Sequence, residues 1–263
     1  MADTVEYKPP KVWSWSKPSG GGFSNINRPV AGPTHDKTLP VGLHPLQLYS
    51  LATPNGVKVT VMLEELLALG NPGAEYDAWL IRISDGDQFG SGFVEVNPNS
   101  KIPALMDRSG PMPIRVFESG AILVYLADKA GAFMTNDAAG RYETLKWLMF
   151  QMSAVGPMFG QVGFFHKFAG KDFEDKRPRD RYVAESRKLL TVLDRRLAGR
   201  PWLTGEEYTI ADIATFPWVN NLIGFYGAGE LVGFSEFVNV ARALKVFLAR
   251  PAVGRGLNIP QRV

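Results

Sequence analysis

Cysteine is missing altogether from these 263 residues. Its absence excludes a disulfide framework, a Cys-ligated zinc and any thiol nucleophile carried by the chain itself. Histidine is scarce as well: His35, His44 and His166 are scattered without ligand spacing, so no metal site is expected. Charge of one sign is not in excess. A formal net charge of +3, with no stripe of Lys and Arg, argues against a nucleic-acid partner. No apolar run approaches the roughly 18 residues of a membrane span. The start, Met1-Ala2-Asp3-Thr4, lacks the basic and apolar parts of a secretory signal, so a cytoplasmic location is the expectation. There is no G-x-S-x-G nucleophile elbow. Gly20-Gly21-Gly22 follows no strand and cradles no phosphate, and Ser84-Asp85-Gly86-Asp87 departs from the calcium-loop pattern in its later positions.

What remains is the composition of an ordinary globular protein, 45% hydrophobic and 21% charged, at a length that suits two domains. Residues 1–45 are broken by Pro9, Pro10, Pro18, Pro29, Pro33, Pro40 and several glycines, which forbid regular structure. Trp13, Trp15 and Phe23 are interleaved there, and a freely solvated tail seldom carries such rings. This segment reads as an extended arm laid across the body.

Regular patterning begins at Leu46. The alternation of Leu46 to Ser50 predicts a strand, and Thr53 reads as an N-cap with Pro54 at the first helical position. Val57, Val61, Leu63, Leu66 and Leu67 continue as a helix to about Gly70. A strand over 76–81, a loop over 85–92, a short helix over 93–96, strands at 104–106 and 114–117 and a helix over 119–129 follow. The order is βαβαββα over residues 46–130. Residues 137–250 are all helical: 138 to about 166, apolar on nearly every side, then 181–197, a helix opened by the capping-box pattern Thr209-Ile210-Ala211-Asp212, and 237–248. So apolar a helix as 138–166 is expected to be buried from several directions, with a partner chain among its neighbours. Residues 251–263 read as a tail.

Strand–TPN–helix, NPNSKIPAL (97–105), FESGAILVYLA (117–127) and YTIADIATFPW (208–218) together resemble the glutathione transferase family. TPNG at 53–56, QMSAVGPMFGQ at 151–161 and Asn27-Arg28-Pro29 in the arm resemble its bacterial Nu class, relatives of the fungal nitrogen-regulator prion branch. The resemblance implies an α+β thioredoxin-like N-terminal domain, an all-α C-terminal domain, a homodimer, and glutathione bound between the domains as co-substrate. In the Nu class this means two glutathione molecules per chain, or one glutathione disulfide, and no metal.

The residues themselves fit that ligand. Glu118 offers the charge opposite to an ammonium, and Ser119 and the free N–H groups of a helix start attract a carboxylate, so the pair suits a γ-glutamyl group. A Ser N-cap beside a solvated Glu is the plainer account of the same two residues. A cis bond at Ile102-Pro103 would leave the Ile102 backbone free to pair with an extended peptide. By the resemblance, Lys101 approaches the glycyl carboxylate and Gln88 the same peptide. Thr53-Pro54-Asn55 supplies a hydroxyl, an amide and a helix dipole, all of which favour a thiolate. Thr53 and Asn55 are therefore the catalytic candidates, with Tyr49 as a rival inside the strand. Asn27, Arg28, Gln151 and Arg181 resemble positions that hold a second glutathione, and arginine suits carboxylates through paired hydrogen bonds.

The function expected is reduction of small disulfides. A bound glutathione thiolate attacks and a second glutathione resolves the mixed disulfide. The alternatives are a transferase that conjugates glutathione to electrophiles, and a glutathione-sensing regulatory protein without turnover.

Overall fold

The computed structural model describes residues 8–15, 23, 26, 28–170 and 172–261. Asn27 lies outside the described residues. A four-stranded sheet in the order β2-β1-β3-β4 organises the first half. Its central strand β1 (Leu46–Ser50) is buried along its whole length. It runs parallel to β2 (Tyr76–Leu80) and antiparallel to β3 (Ala104–Asp107), with Leu48 opposite both Ala78 and Leu105. β4 (Ile114–Phe117) pairs antiparallel with β3 and forms one edge. With α1 (Gly56–Ala68), α2 (Ser91–Val96) and α3 (Ser119–Ala130), the order is the thioredoxin-like βαβαββα that the pattern predicts. The Ile102–Pro103 bond is cis, as expected.

The start of α1 differs from the expectation. The helix begins at Gly56 with Asn55 in the capping position, two residues later than a Thr53 cap would place it. Thr53 nevertheless serves the helix: its Oγ1 accepts the Gly56 N–H at 3.2 Å and its carbonyl accepts the Val57 N–H at 2.9 Å. The turn is tight because a Cβ at Gly56 would fall 1.9 Å from the Leu51 carbonyl oxygen. Only glycine lets the chain leave β1 and enter the helix so abruptly.

The second half contains α4 (Ala138–Phe150), α5 (Gly156–Gly163), α6 (Arg177–Leu197), α7 (Ile210–Ile223), α8 (Val238–Leu248) and α9 (Pro251–Gly256). The stretch expected as one helix from 138 to about 166 is continuous but widens into π-type turns over Gln151–Val155 and Phe164–Phe168. Its burial is also less than expected. Within α4 only Thr144 and Leu148 are buried, while Tyr142 and Met149 stand 67% and 52% exposed. α4 packs against α7 with Leu148 buried, and among the described residues nothing covers Tyr142 and Met149. The helix buried on every side is α7, closed to solvent from Ile210 to Val219.

α6 starts at Arg177 rather than Arg181, since Pro178 sits in the first turn, where a missing N–H is harmless. The stretch read as a tail carries α9, which packs on α1. Thr60 donates to the Gly256 carbonyl at 2.5 Å, Arg250 grips Glu65 through two bonds of 2.6 and 2.8 Å, and Arg255 meets Glu64 at 2.6 Å. The arm does lie across the body. Thr34 donates to the Phe89 carbonyl, while Ser91 and Gly92 donate to the carbonyls of His35 and Lys37. Lys37 pairs with Asp87 at 2.6 Å. Backbone bonding, not Trp13 and Trp15, anchors it, for those rings stay 59% and 44% exposed. One apolar core joins the halves, with Met62 and Leu63 of α1 in the same cluster as Ile213 and Phe216 of α7.

The capping box forms as the sequence predicts. Asp212 is fully buried and accepts N–H groups from Leu203 at 2.9 Å and Thr209 at 3.0 Å. Burial pushes its carboxyl up to about 7, against those hydrogen bonds. Asp212→Ala leaves both N–H groups without a partner, so urea unfolding should register a loss on the order of 3 kcal/mol. A loss under about 0.5 kcal/mol would mean the box contributes little.

Candidate functional site

A cavity of about 830 Å³ opens where the N-terminus of α1 faces the helical half. This is toward the upper end of the roughly 300–1,000 Å³ usual for small-molecule sites. Of the residues expected at the site, Asn55, Lys101, Glu118 and Gln151 line it. Ile83, Met152, Gln161, Phe164, Phe168, Trp218 and Tyr226 complete most of the wall, and Phe23 of the arm closes against Phe168 with ring centres 5.0 Å apart. A side pocket of about 350 Å³ adjoins it, where Thr53, Pro54 and Asn55 face Phe168, Trp218 and Phe225.

Asn55 is the most tightly oriented of these groups. Trp218 Nε1 donates to its Oδ1 at 2.9 Å across the two halves of the chain. An indole N–H can only donate, so the amide oxygen must face it and the Nδ2 donors turn elsewhere. Thr53 Oγ1 accepts from Gly56, and among the described residues its hydroxyl proton has no acceptor shown. Tyr49 is removed as a rival: it is 2% exposed, and its hydroxyl donates to the Pro40 carbonyl at 2.8 Å beneath the arm.

Glu118 holds an unusual backbone conformation at the start of α3, φ 70° and ψ 118°. For a residue with a side chain this is costly, and such conformations gather where a side chain must be aimed. Here the carboxylate lines the cavity. Ser119 is buried directly behind it, 3% exposed. Lys101 also lines the cavity, reaches the Ile26 carbonyl at 3.4 Å, and is lowered in pKa by burial.

Other expected residues are placed elsewhere. Gln88 is buried in the turn before α2, donates to the Ile83 carbonyl at 3.2 Å and does not line the cavity. Ile102 and Pro103 do not line the cavity, and Ile102 packs on the cluster of Tyr49, Phe93 and Ala104. Arg28 stacks 4.0 Å over the Phe89 ring and lines two smaller grooves beside the arm. Arg181 sits in a groove of α6 with Met158, Tyr182 and Lys188. Sequence reasoning missed Lys58, Trp218 and the aromatic wall. Lys58 is fully buried at the cavity floor, its Nζ 2.6 Å from Gln151 Oε1 and 3.2 Å from Ser119 Oγ. Burial lowers its pKa to about 7, opposed by the Glu118 carboxylate. Among the described residues, no three His, Asp or Glu side chains converge as a metal site would require.

Taken together, one cavity gathers a helix start, a carboxylate, a lysine in its wall, a second lysine buried beneath, and an aromatic face. Comparison with known proteins bears on this. A family model described as the glutathione S-transferase N-terminal domain matches residues 44–128, and the corresponding C-terminal domain matches residues 175–249. The disulfide-bond oxidoreductase YghU of Escherichia coli strain K12 is 57% identical over 258 residues, spanning 97% of this chain and 88% of that protein. The structure of glutathione transferase YghU from Streptococcus pneumoniae, complexed with glutathione, superposes with a TM-score of 0.91 at 44% identity, over 97% of this chain and 98% of that one. A glutathione transferase from Burkholderia graminis, solved with two glutathione molecules per subunit, is 62% identical with a TM-score of 0.79, over 84% and 90%.

The buried ammonium makes a prediction about pH. Lys58 has its pKa lowered from 10.5 to about 7 on folding. Between those values the unfolded chain holds a proton that the folded chain has released, so stability rises with pH there; below about 7 the full cost of burying the charge is present. The stability of the native protein relative to Lys58→Met should therefore improve from about pH 7 to about pH 10, read from paired urea midpoints. A difference that stays flat across this range would show that the amine titrates normally.

Proposed function

The chain belongs to the glutathione transferase family, and from that footing we propose that it reduces small disulfides with two molecules of glutathione. The observation that carries this reading is Asn55, whose amide is locked by Trp218 at a helix N-terminus beside a cavity with room for more than one peptide thiol. The γ-glutamyl ammonium of the first glutathione faces Glu118, its carboxylate meets Ser119 and the start of α3, and Lys101 approaches the glycyl end. Its sulfur lies at Asn55 and Thr53. A free thiol near pKa 8.5 is only a few per cent ionised at neutral pH, and these donors raise the thiolate fraction. The thiolate attacks one sulfur of the substrate disulfide and expels the other half as thiolate. A second glutathione thiolate, beside Gln151, attacks the glutathione sulfur of the mixed disulfide. The products are glutathione disulfide and two thiols, and the electrons come from the two glutathiones.

The Burkholderia relative, with two glutathiones per subunit, supports the stoichiometry. Gln88, Ile102, Pro103 and Arg28 lie around this site rather than in its wall, and we keep them as contacts to a bound peptide that reaches past the cavity. Asn27 is kept in that role from the resemblance alone. Arg181 is kept as a contact of the second glutathione only if the groove on α6 is continuous with the cleft in the assembled protein. The exposed apolar residues of β4 and α4, Ile114, Phe117, Tyr142 and Met149, are the surface we assign to a homodimer. A reaction fed by reduced glutathione suits the cytoplasm, whose pool is strongly reducing. The aromatic wall beside Asn55 also favours a second reading, conjugation of glutathione to an apolar electrophile, which needs one glutathione only.

Calorimetric titration should count two glutathiones per chain, and hydroxyethyl disulfide should be reduced well above the uncatalysed rate. One glutathione per chain, with chlorodinitrobenzene turned over faster than the disulfide, would give the second reading the field. Asn55→Ala removes a donor to an anion worth roughly 1.5–3 kcal/mol, so turnover should fall on the order of tenfold to a hundredfold. Trp218→Phe frees the Asn55 amide without removing it, and its turnover should lie between that variant and the parent. Thr53→Ala should raise the bound thiol's pKa with little loss of affinity. If Asn55→Ala and Thr53→Ala both leave turnover and thiol pKa at the parent values, the sulfur does not lie at this helix start.

A further inference from the structure

No motif points to Lys58, yet it lies where the two proposed ligand positions meet. It is in the first turn of α1, fully buried, and touches three groups: Gln151 Oε1 at 2.6 Å, Ser119 Oγ at 3.2 Å and Met152 Sδ at 3.3 Å. In its protonated form, which prevails below about pH 7, Lys58 has three N–H donors and no lone pair, so every group it bonds must present an acceptor. Those three contacts use all its donors.

Two consequences follow for the groups around it. The Gln151 amide must turn its oxygen toward Lys58, which turns Nε2 away; Nε2 is buried and has no hydrogen-bond partner among the described residues. The space beside Nε2 is kept by Gly156, where an added Cβ would stand 2.9 Å from it. Ser119 accepts from Lys58 through Oγ, so its own proton is left to be given away. Its acceptor within the protein is Met152 Sδ at 3.6 Å, a weak one. A buried donor without an acceptor is costly, on the order of 1–3 kcal/mol; Gln151 Nε2 is such a donor at the cavity wall, and the Ser119 hydroxyl beside it has only a weak sulfur acceptor among the described residues.

We propose that Lys58 is a positioning residue that fixes Ser119 and Gln151 as hydrogen-bond donors, so that the site selects ligands with a carboxylate at each of the two positions. This rests on the glutathione reading above and adds to it a selectivity: carboxylate-bearing thiols and disulfides are held over neutral ones of the same size. Lys58 does not touch the ligand. It sets the direction in which two neutral side chains point. Without the ammonium the Gln151 amide can turn over and the Ser119 proton can rotate back toward the protein, and the preference for an anion weakens.

The test compares glutathione with its diethyl ester, which keeps the thiol and ammonium but carries no carboxylate. The parent protein should bind glutathione more tightly than the ester. In Lys58→Met, with folding checked by circular dichroism and thermal midpoint, this preference should shrink roughly tenfold, the size expected for loss of an oriented donor to an anion. A merely structural role would weaken both ligands alike and leave the ratio unchanged. An unchanged ratio in a folded Lys58→Met variant overturns the proposal. Should that variant not fold, Gln151→Glu decides: its carboxylate keeps the bond to Lys58 but has no Nε2 donor. It should therefore remain folded, bind a first glutathione and lose the second. Gln151→Glu binding two glutathiones as tightly as the parent would also overturn it. A parent protein that binds neither glutathione nor its ester defeats the functional reading itself, a different failure.

Discussion

The N-terminal turn of α1 is held from the other half of the molecule, and the site exists only because of that grip. Trp218, deep in the buried helix α7, reaches across to Asn55. Farther along α1, Arg250 just before α9 and Arg255 within it clamp Glu65 and Glu64, and the Gly256 carbonyl meets Thr60. A hydrogen-bond donor is useful to a developing anion only if it is already aimed when the charge appears. Anchoring a helix along its length is how a protein makes such aim permanent, since a free end would fray within its first turn.

Around that fixed helix the charges divide by distance from solvent. Glu118 is exposed at the cavity, while Lys58 is sealed beneath it and depends on its neighbours. The strained backbone at Glu118 and the buried amine are two local costs in one small volume. Structures retain such costs where they orient a ligand, and the larger apolar core, shared by both halves, is large enough to sustain them.

Much of this could be read from the sequence because it is written in short segments. A strand running into Thr53-Pro54-Asn55, a proline before β3, Glu118-Ser119 at a helix start and the Thr209–Asp212 capping box are each decided within a few residues, and each appears where expected. What could not be read depends on who meets whom. Lys58 stands between two valines in a helix and resembles any solvent-facing charge; only α3 and the turn at Gln151 make it buried. Trp218 looks like core filler until its partner 163 residues away is known. Arg28 and Arg181 carry the right chemistry for a carboxylate, but the fold places them in grooves outside the main cavity. The over-reading of 138–166 has a similar cause, since apolar content does not reveal whether the cover for a helix comes from its own chain.

The bond between Trp218 and Asn55 also bears on when this protein becomes competent during folding. Contacts so distant in sequence close late, because the entropy of a long loop must be overcome before they return any stability. The thioredoxin-like half can collapse early around its local strand pairings, as newly made N-terminal domains do. Until α7 docks, the Asn55 amide turns freely and the helix start lacks its fixed donor. On the proposed reading, competence at sulfur arrives late, with the docking of the two halves, and a chain cut short before α7 would fold its sheet around an unfinished site.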